Sequence, residues 1–341
     1  MSAPLFRYDR LDETEFGALA DHHPDVLVPI EQTPAWGRFE AALGRKPFGI
    51  WAYRDADGIL VATASFLRIQ RRLRESLVVV NGPVWFTART PAAERVLMHT
   101  VRHQFRHDDG AAPLYVRMQV ATPQLPAAGP LEHGWYEREI VVDLEPDEKA
   151  LLAGFRPNAR NSIRRARKAG VEIRSIPRKE WIAVFREELF PILQETAERD
   201  GFSSFDSTYY EAFLVQLADH AGLLVAYQDG RAVSWLITTL YRGHAVYYFA
   251  GSTDDARRTF APYLLLWEAF RALKAAGARS CGLTGIVSEN YPQLINVTTF
   301  KRNFSKNVVT LPTTYDIPLH PLRYRAVAAL LRARRKRSSR G

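Results

Sequence analysis

The stretch Ala52-Tyr53-Arg54 with Asp57-Gly58 returns later in the chain as Ala226-Tyr227-Gln228 with Asp229-Gly230. Each Asp-Gly pair is followed by an apolar run, over residues 59–69 in the first case and 232–240 in the second. An Asp-Gly pair between two runs of β-branched and aromatic residues predicts a β-hairpin. The repeat therefore predicts two copies of one small domain.

The match continues downstream of both hairpins. A third strand-like run (residues 77–80 and 245–249) precedes a helical pattern, and then another short strand (residues 114–118 and 281–283). Thr90-Pro91 begins the first of these helices, and Thr259 with Pro262 begins the second. This order predicts an α/β fold with mixed sheets and helices packed on them.

We predict that residues 1–145 form the first domain, completed by residues 317–341, and that residues 146–316 form the second. The 341 residues and the 47% apolar content suit two domains with substantial cores. A cleft between duplicated domains is the usual place for a substrate, and we expect one there.

The composition predicts a reduced, cytoplasmic protein. The first 16 residues mix acidic and basic side chains without an apolar core, so a secretory signal is not expected. No apolar run approaches the roughly 18 residues that a membrane span requires. The single cysteine, Cys281, is predicted to be a small buried hydrophobe at a strand end.

The net charge of +9 is concentrated in two places, and both indicate an anionic partner. The first is a predicted basic helix over residues 156–168, which has no acid and carries Arg156, Arg160, Arg164, Arg165, Arg167 and Lys168. The second is the end of the chain, with Arg332, Arg334, Arg335, Lys336, Arg337 and Arg340. The alternative is that the helix has a solvated face and that the tail is free.

Motifs for several common chemistries are absent. The sequence lacks a GxxxxGK[ST] phosphate loop, a GxGxxG turn, HExxH, GxSxG and paired cysteines. We therefore expect no metal and no cofactor, and a reaction that uses an already activated donor.

Five segments, in this order and spacing, carry a resemblance: Gln32-Thr33-Pro34-Ala35-Trp36, the basic segment Ala159 to Ala166, Thr196-Ala197-Glu198-Arg199-Asp200-Gly201-Phe202, Ala261-Pro262-Tyr263 with its helix, and Thr299-Phe300-Lys301-Arg302-Asn303-Phe304 with Tyr315-Asp316-Ile317-Pro318. Together they resemble the Fem family of peptidoglycan interpeptide-bridge aminoacyltransferases. The resemblance spans nearly the whole chain. It implies two tandem GNAT-like acyltransferase domains, here without the long helical arm that some members insert.

The resemblance implies transfer of an amino acid from aminoacyl-tRNA to an amine of a peptidoglycan precursor, a lipid-linked or UDP-linked muropeptide. An aminoacyl ester is an activated donor, so such a reaction needs no ATP and no covalent enzyme intermediate. The enzyme has to position the amine and stabilise the oxyanion of the tetrahedral adduct.

The resemblance also implies roles for individual residues. Lys301 matches the family lysine expected beside the oxyanion, and Arg199 matches an arginine expected at the precursor's diphosphate. The remaining substrate contacts are assigned to Trp36, Arg38, Tyr263 and Phe300, and the tRNA or phosphate contacts to Arg156, Arg160, Arg164, Arg165 and Lys168. The alternatives are that Lys301 decorates a loop and that Arg199 forms a surface salt bridge with Glu195 or Glu198.

Three places depart from the family pattern. One is the segment Cys281 to Ile286, which lacks the aspartate that relatives often carry before their glycines. Glu40 occupies the place where relatives carry a phosphate-contacting lysine, for which Arg38, Arg45 or Lys46 are possible substitutes. Gln119 stands where relatives often have an acid, and an amide cannot act as a general base. We therefore assign no protein base.

Other functions stay open on the sequence alone. They are a thioester-dependent N-acyltransferase, a tRNA-dependent ligase of a natural product, and a non-catalytic RNA-binding protein. The basic tail is expected to attract the protein to the anionic inner leaflet of the membrane, since each Lys or Arg near such a surface contributes about 1 kcal/mol.

Overall fold

This computed structural model describes residues 5–71, 74–106, 113–131 and 136–338. The strands, numbered in chain order, are β1 (Arg7–Leu11), β2 (Lys46–Arg54), β3 (Leu60–Arg71), β4 (Arg74–Val78), β5 (Val84–Trp85), β6 (Tyr115–Val120), β7 (Arg138–Asp143), β8 (Glu172–Ser175), β9 (Ala221–Gln228), β10 (Arg231–Tyr241), β11 (His244–Ser252), β12 (Ser280–Gly285), β13 (Val308–Thr310) and β14 (Thr313–Pro318).

The helices in the same order are α1 (Glu13–His22), α2 (Pro34–Ala42), α3 (Pro91–Arg106), α4 (Glu148–Gly154), α5 (Pro157–Lys168), α6 (Trp181–Val184), α7 (Phe190–Asp200), α8 (Ser207–Gln216), α9 (Asp254–Arg258), α10 (Ala261–Ala275), α11 (Ile295–Lys301) and α12 (Pro321–Ser338). Short 3₁₀ turns and one π-helical turn join them at Ile30–Gln32, Arg178–Glu180, Phe185–Leu189 and Pro292–Leu294.

The chain divides into two compact units. Unit 1 holds residues 1–135 and 312–341, and unit 2 holds residues 136–311. The domain boundaries predicted from the sequence lie after residues 145 and 316, whereas unit 2 of the structure covers residues 136–311. The structure assigns β7, at Arg138–Asp143, to the sheet of unit 2.

Unit 1 is built on a sheet with the strand order β1-β2-β3-β4-β6-β14, and β5 pairs with β3. All neighbours are antiparallel except β4 and β6, which are parallel. The first predicted hairpin is β2–β3, and its turn is closed by the Asp55 carboxylate, which accepts hydrogen bonds from the N–H groups of Asp57 and Ile59. Apolar side chains of the sheet pack against α3 in the core.

Unit 2 repeats this plan with the order β13-β7-β12-β11-β10-β9-β8. The second predicted hairpin is β9–β10. Its turn residues Asp229 and Gly230 have φ of 50° and 75°, the positive values that a two-residue type I′ turn requires. Strands β11 and β12 are parallel and pair only from His244 to Val246, beyond which β11 continues to Ser252. Both predicted hairpins and the α/β class are confirmed.

The helices between the paired parallel strands are also as predicted, apart from one boundary. Leu97, Val101 and Phe105 of α3 are buried, and so are Leu266, Phe270 and Leu273 of α10. The expectation that Thr259 begins the second helix is wrong. Its hydroxyl group bonds back to carbonyls of α9, and Phe260 precedes α10 in the left-handed conformation with φ of 61°.

The end of the chain is anchored to unit 1 through α12. The Tyr324 hydroxyl donates to the Gly129 carbonyl and to the buried Asp316 carboxylate, at 2.8 and 2.9 Å. Arg332 is exposed on this helix. Of the predicted membrane contacts, Arg340 and the side chains of Arg334, Arg335, Lys336 and Arg337 lie outside the described residues. None of the helices described has the length and apolar character of a bilayer-spanning segment.

Candidate functional site

Lys301 is a buried amine at the carboxyl end of α11, with only 4% of the residue exposed. Its Nζ donates to the Gly285 carbonyl at 2.7 Å and to Thr284 Oγ1 at 3.1 Å. Burial lowers the pKa of Lys301 to about 7, although the nearby charge of Glu139 acts to raise it. An amine that is half protonated near neutral pH can both stabilise an oxyanion and transfer a proton.

The partners of Lys301 lie at the end of β12, where the backbone is unusual. Thr284 has φ of 60°, and the pairing of β12 with β7 shifts register between Gly282 and Gly285. A Cβ at Gly285 would lie 2.7 Å from the ring of Tyr136, so only glycine fits here. This turn directs the Gly285 carbonyl to the amine. The sequence shows Thr284-Gly285 without indicating that Lys301 bonds to it.

Tyr263, in the first turn of α10, packs against Phe300 of α11, with ring centroids 5.0 Å apart. The Tyr263 hydroxyl is 3.3 Å from the side-chain nitrogens of both Asn158 and Asn303. Phe304 packs between these rings and the core of unit 2. The two asparagines were missed by sequence reasoning, which singled out the aromatic and charged members of the same segments.

The basic helix α5 borders an open groove of about 490 Å³. The groove is lined by one face of this helix, namely Asn158, Asn161, Ser162, Arg164, Arg165 and Lys168. The Arg165 guanidinium lies over the Phe260 ring, 4.1 Å from its centroid, and this cation–π contact orients it. The groove lining therefore carries the positive charges of Arg164, Arg165 and Lys168.

The other cations of α5 have structural contacts. Arg160 donates to the carbonyls of Ala153, at 3.0 Å, and Phe155, and so satisfies the end of α4. Arg167 forms an ion pair of 2.9 Å with Glu268 of α10. Arg156 is exposed just before α5 and lies outside the groove lining. The structure thus separates the predicted phosphate contacts into Arg164, Arg165 and Lys168 in the groove, and Arg156 and Arg160 outside it.

Arg199, at the end of α7, is held by protein groups. Its guanidinium bonds to both carboxylate oxygens of Asp200, to the Ser252 carbonyl at 2.7 Å and to Asp254 at 3.4 Å. Burial acts to lower the pKa of Arg199, but Asp200, Asp254 and Glu195 together raise it above its ordinary value. The salt-bridge alternative named Glu195 or Glu198, and the structure places Asp200 and Asp254 there instead. A role at a phosphate stays a prediction.

The predicted substrate contacts of unit 1 differ in exposure. Trp36 is 4% exposed and packs edge-on against Phe39, which leaves little surface for a ligand. Arg38 is half exposed, forms a 2.6 Å ion pair with Glu13, and borders a separate groove of about 300 Å³. Glu40 is buried, and its carboxylate accepts a hydrogen bond of 2.6 Å from the Arg45 guanidinium. The negative charge at this position is therefore paired within the protein.

More than half of the chain matches one protein family. The model of the FemAB family matches residues 133–234 and 232–332, which together span 200 of the 341 residues. No curated protein sequence matches. The second matched segment includes Tyr263, Phe300 and Lys301.

Solved structures are similar in fold. A crystal structure of FemX is 13% identical, with a TM-score of 0.76 over 94% of this chain and 100% of that chain. A conserved protein of unknown function from Bacteroides thetaiotaomicron is 9% identical, with a TM-score of 0.56 over 92% and 99% of the two chains. L-PGS from Bacillus licheniformis is 13% identical, with a TM-score of 0.50 over 95% and 98%.

The fold and the family match define a transferase with two GNAT-like domains. The chain belongs to the FemAB family. The resemblance recognised in the sequence is therefore confirmed, and the tandem GNAT-like fold that it implied is confirmed by the similarity to FemX.

Proposed function

We propose that this protein transfers an amino acid from aminoacyl-tRNA to an amine of a peptidoglycan precursor during formation of an interpeptide bridge. One observation carries the proposal. Within the segment that matches the FemAB family, Lys301 is a buried amine whose pKa lies near neutrality. The precursor is a muropeptide linked to a lipid or to UDP, and the donor's amino acid is left open.

The chemistry follows from the bonds that form and break. The neutral acceptor amine attacks the ester carbonyl, which gives a tetrahedral adduct with a negative oxygen. Two N–H groups of the Lys301 ammonium bond to Gly285 and Thr284, and the third is available to that oxygen. When the adduct collapses, the C–O bond breaks and the ribose oxygen leaves. A pKa near 7 allows the Lys301 ammonium to donate a proton to the leaving ribose oxygen. The nitrogen of the new amide loses a proton to solvent, and solvent then reprotonates Lys301.

The groove on α5 is the proposed contact for the tRNA. Arg164, Arg165 and Lys168 line one wall of it, and cations of this kind bind phosphates without reading sequence. Tyr263 and Phe300 are the proposed substrate contacts of unit 2, Trp36 and Arg38 those of unit 1, and Arg199 is the proposed contact for the precursor's diphosphate.

The test is a transfer assay with the purified protein. It contains total tRNA charged with labelled amino acids and a lysine-containing lipid-linked or UDP-linked muropeptide. We expect label in the muropeptide, lost after ribonuclease treatment and in Lys301→Ala. The matched control is Lys306→Ala, which removes an exposed amine five residues further along the chain and is expected to keep the activity.

Three results would contradict the proposal. Transfer that survives ribonuclease would remove tRNA from the reaction, and turnover with an acyl thioester alone would identify a thioester-dependent acyltransferase. Full activity of Lys301→Ala would remove the buried amine from the mechanism.

We also propose that the protein contacts the inner leaflet through the basic end of α12. Arg332 is exposed there, and so is Leu330. The measurement is sedimentation with anionic and neutral liposomes. We expect binding only to anionic liposomes and its loss on deletion of residues 332–341; unchanged binding of the deleted chain would refute this contact.

A further inference from the structure

The hydrogen bonds around Tyr263 determine which groups donate. The Thr299 carbonyl can only accept, and it lies 2.9 Å from the side-chain nitrogen of Asn303, so that nitrogen is the amide donor. The same nitrogen lies 3.3 Å from the Tyr263 hydroxyl. The other end of Asn303 is then an oxygen, and it accepts from the Asn158 nitrogen at 3.4 Å. Both asparagines are therefore oriented by one backbone carbonyl.

With these orientations, the Tyr263 oxygen accepts from Asn158 and from Asn303 at once. A phenolic oxygen has two lone pairs, so the O–H group is left to donate elsewhere. In the parts of the chain that the structure describes, no acceptor faces it. Burial raises the pKa of Tyr263, so the group keeps its proton at neutral pH. The result is a hydroxyl proton that has no protein acceptor among the described residues.

This donor lies at the edge of the α5 groove. Asn158 belongs both to the groove lining and to the pair that holds Tyr263. Phe260 lies between Tyr263, with ring centroids 6.5 Å apart, and Arg165, whose guanidinium covers it. Phe260 has φ of 61°, which costs a bulky residue about 1 kcal/mol or more, and such strain is concentrated at functional sites. A neutral donor, a guanidinium and the Lys168 ammonium therefore follow one another along the groove.

We propose that Tyr263, Arg165 and Lys168 bind consecutive phosphates of the acceptor end of the tRNA, with the Tyr263 hydroxyl donating to a phosphate oxygen. This assignment rests on the proposed function. The groove runs from Asn158 to Lys168, about 15 Å along the helix axis. That length suits a run of phosphates along a strand, because a single diphosphate would occupy only one end of it.

The test measures binding without catalysis. The probe is a fluorescent minihelix with the sequence of a tRNA acceptor arm and no amino acid, titrated by anisotropy at several salt concentrations. Tyr263→Phe is expected to weaken binding about tenfold at every salt concentration, because it removes one hydrogen bond to a charged group and no charge. Arg165→Gln and Lys168→Gln are each expected to reduce the slope of log K against log salt by about 0.7 to 0.9.

The controls are matched by chemistry. Arg167→Gln removes a cation of the same helix that pairs with Glu268, and it is expected to leave the salt slope unchanged. Tyr53→Phe removes a buried hydroxyl of unit 1 that bonds to Gln104, and it is expected to leave RNA binding unchanged. Thermal melts of all variants identify any that fail to fold. Asn158→Ala leaves the hydroxyl and one asparagine in place, and it tests the site if Tyr263→Phe is unstable.

Three outcomes would overturn the assignment. They are wild-type affinity of Tyr263→Phe, equal slopes for Arg165→Gln and Arg167→Gln, and binding of a UDP-linked muropeptide that depends on Tyr263 where RNA binding does not. The last outcome would assign the site to the acceptor. If RNA binding follows the expected pattern but no amino acid is transferred, the site stands and the proposed function fails.

Discussion

At the scale of single residues, the most unusual group is the buried amine of Lys301. Its pKa of about 7 lies below the 10.5 of an unfolded lysine, so between these values the unfolded chain binds one more proton than the folded chain. The contribution of Lys301 to the free energy of unfolding therefore rises with pH from about 7 to 10.5. Below pH 7 the full free-energy cost of burying the charged amine is present.

Lys301→Met is expected to abolish transfer and to increase the free energy of unfolding at pH 7. The methionine keeps much of the side-chain volume and has no charge to desolvate. The gain over the wild type should be largest at and below pH 7 and should shrink towards pH 10. Urea denaturation at pH 6, 7, 8, 9 and 10 measures it, and a gain that does not change with pH would contradict the burial argument.

Glu139→Gln is expected to lower the pKa of Lys301 further, because the Glu139 charge acts to raise it. The loss of transfer rate that accompanies deprotonation of Lys301 should then occur at lower pH. The measurement is the pH profile of kcat/KM under transfer conditions, with the exposed Glu145→Gln as the control. An unchanged profile would show that Glu139 does not act on the amine.

At the scale of elements, α5 carries cations with two different tasks. Arg160 satisfies carbonyls at the end of α4, whereas Lys168 lines the groove. Helix ends need such partners because their last carbonyls have none within the helix. Helix α5 therefore packs against its neighbours on one side and lines the groove on the other.

Arg160→Ala is expected to lower the free energy of unfolding by about 1.5 to 3 kcal/mol, the usual contribution of hydrogen bonds that involve a charged group. The affinity for the minihelix should stay almost the same. Lys168→Ala should show the reverse, with unchanged stability and a weaker, less salt-dependent affinity. Urea denaturation and anisotropy on both variants check this, and equal effects on RNA affinity would refute the division of α5.

In the molecule as a whole, unit 1 is formed from two separate parts of the sequence, residues 1–135 and 312–341, and unit 2 lies between them in the sequence. Asp316, on β14, is fully buried and accepts both bonds of the Arg117 guanidinium, at 2.7 and 3.1 Å. It also accepts from the Leu131 N–H and the Tyr324 hydroxyl. One carboxylate thus joins the late strand, the last helix and the early sheet.

Asp316→Asn is expected to destabilise unit 1 by about 3 to 5 kcal/mol, because it leaves the buried Arg117 without its charge partner. Hydrogen exchange should become faster in β6 and β14 and stay unchanged in β9 and β10 of unit 2. Asp219→Asn breaks an exposed pair with Arg178 and serves as the control. Faster exchange in β9 and β10 as well would show that the network supports both units.

The duplication, the α/β class, the two hairpins, the basic helix and the Fem resemblance follow from the sequence, because they depend on periodicity and turn residues that act over a few positions. The predicted start of α10 differs from the observed start by only two residues, because the Thr259 hydroxyl bonds back to α9. The contacts of Lys301, Arg199 and Tyr263 came only from the tertiary structure. They join groups that are 16, 53 and 105 positions apart, for Gly285, Ser252 and Asn158 respectively. Burial and hydrogen-bond direction at such a site depend on how distant segments pack, which local sequence patterns do not encode.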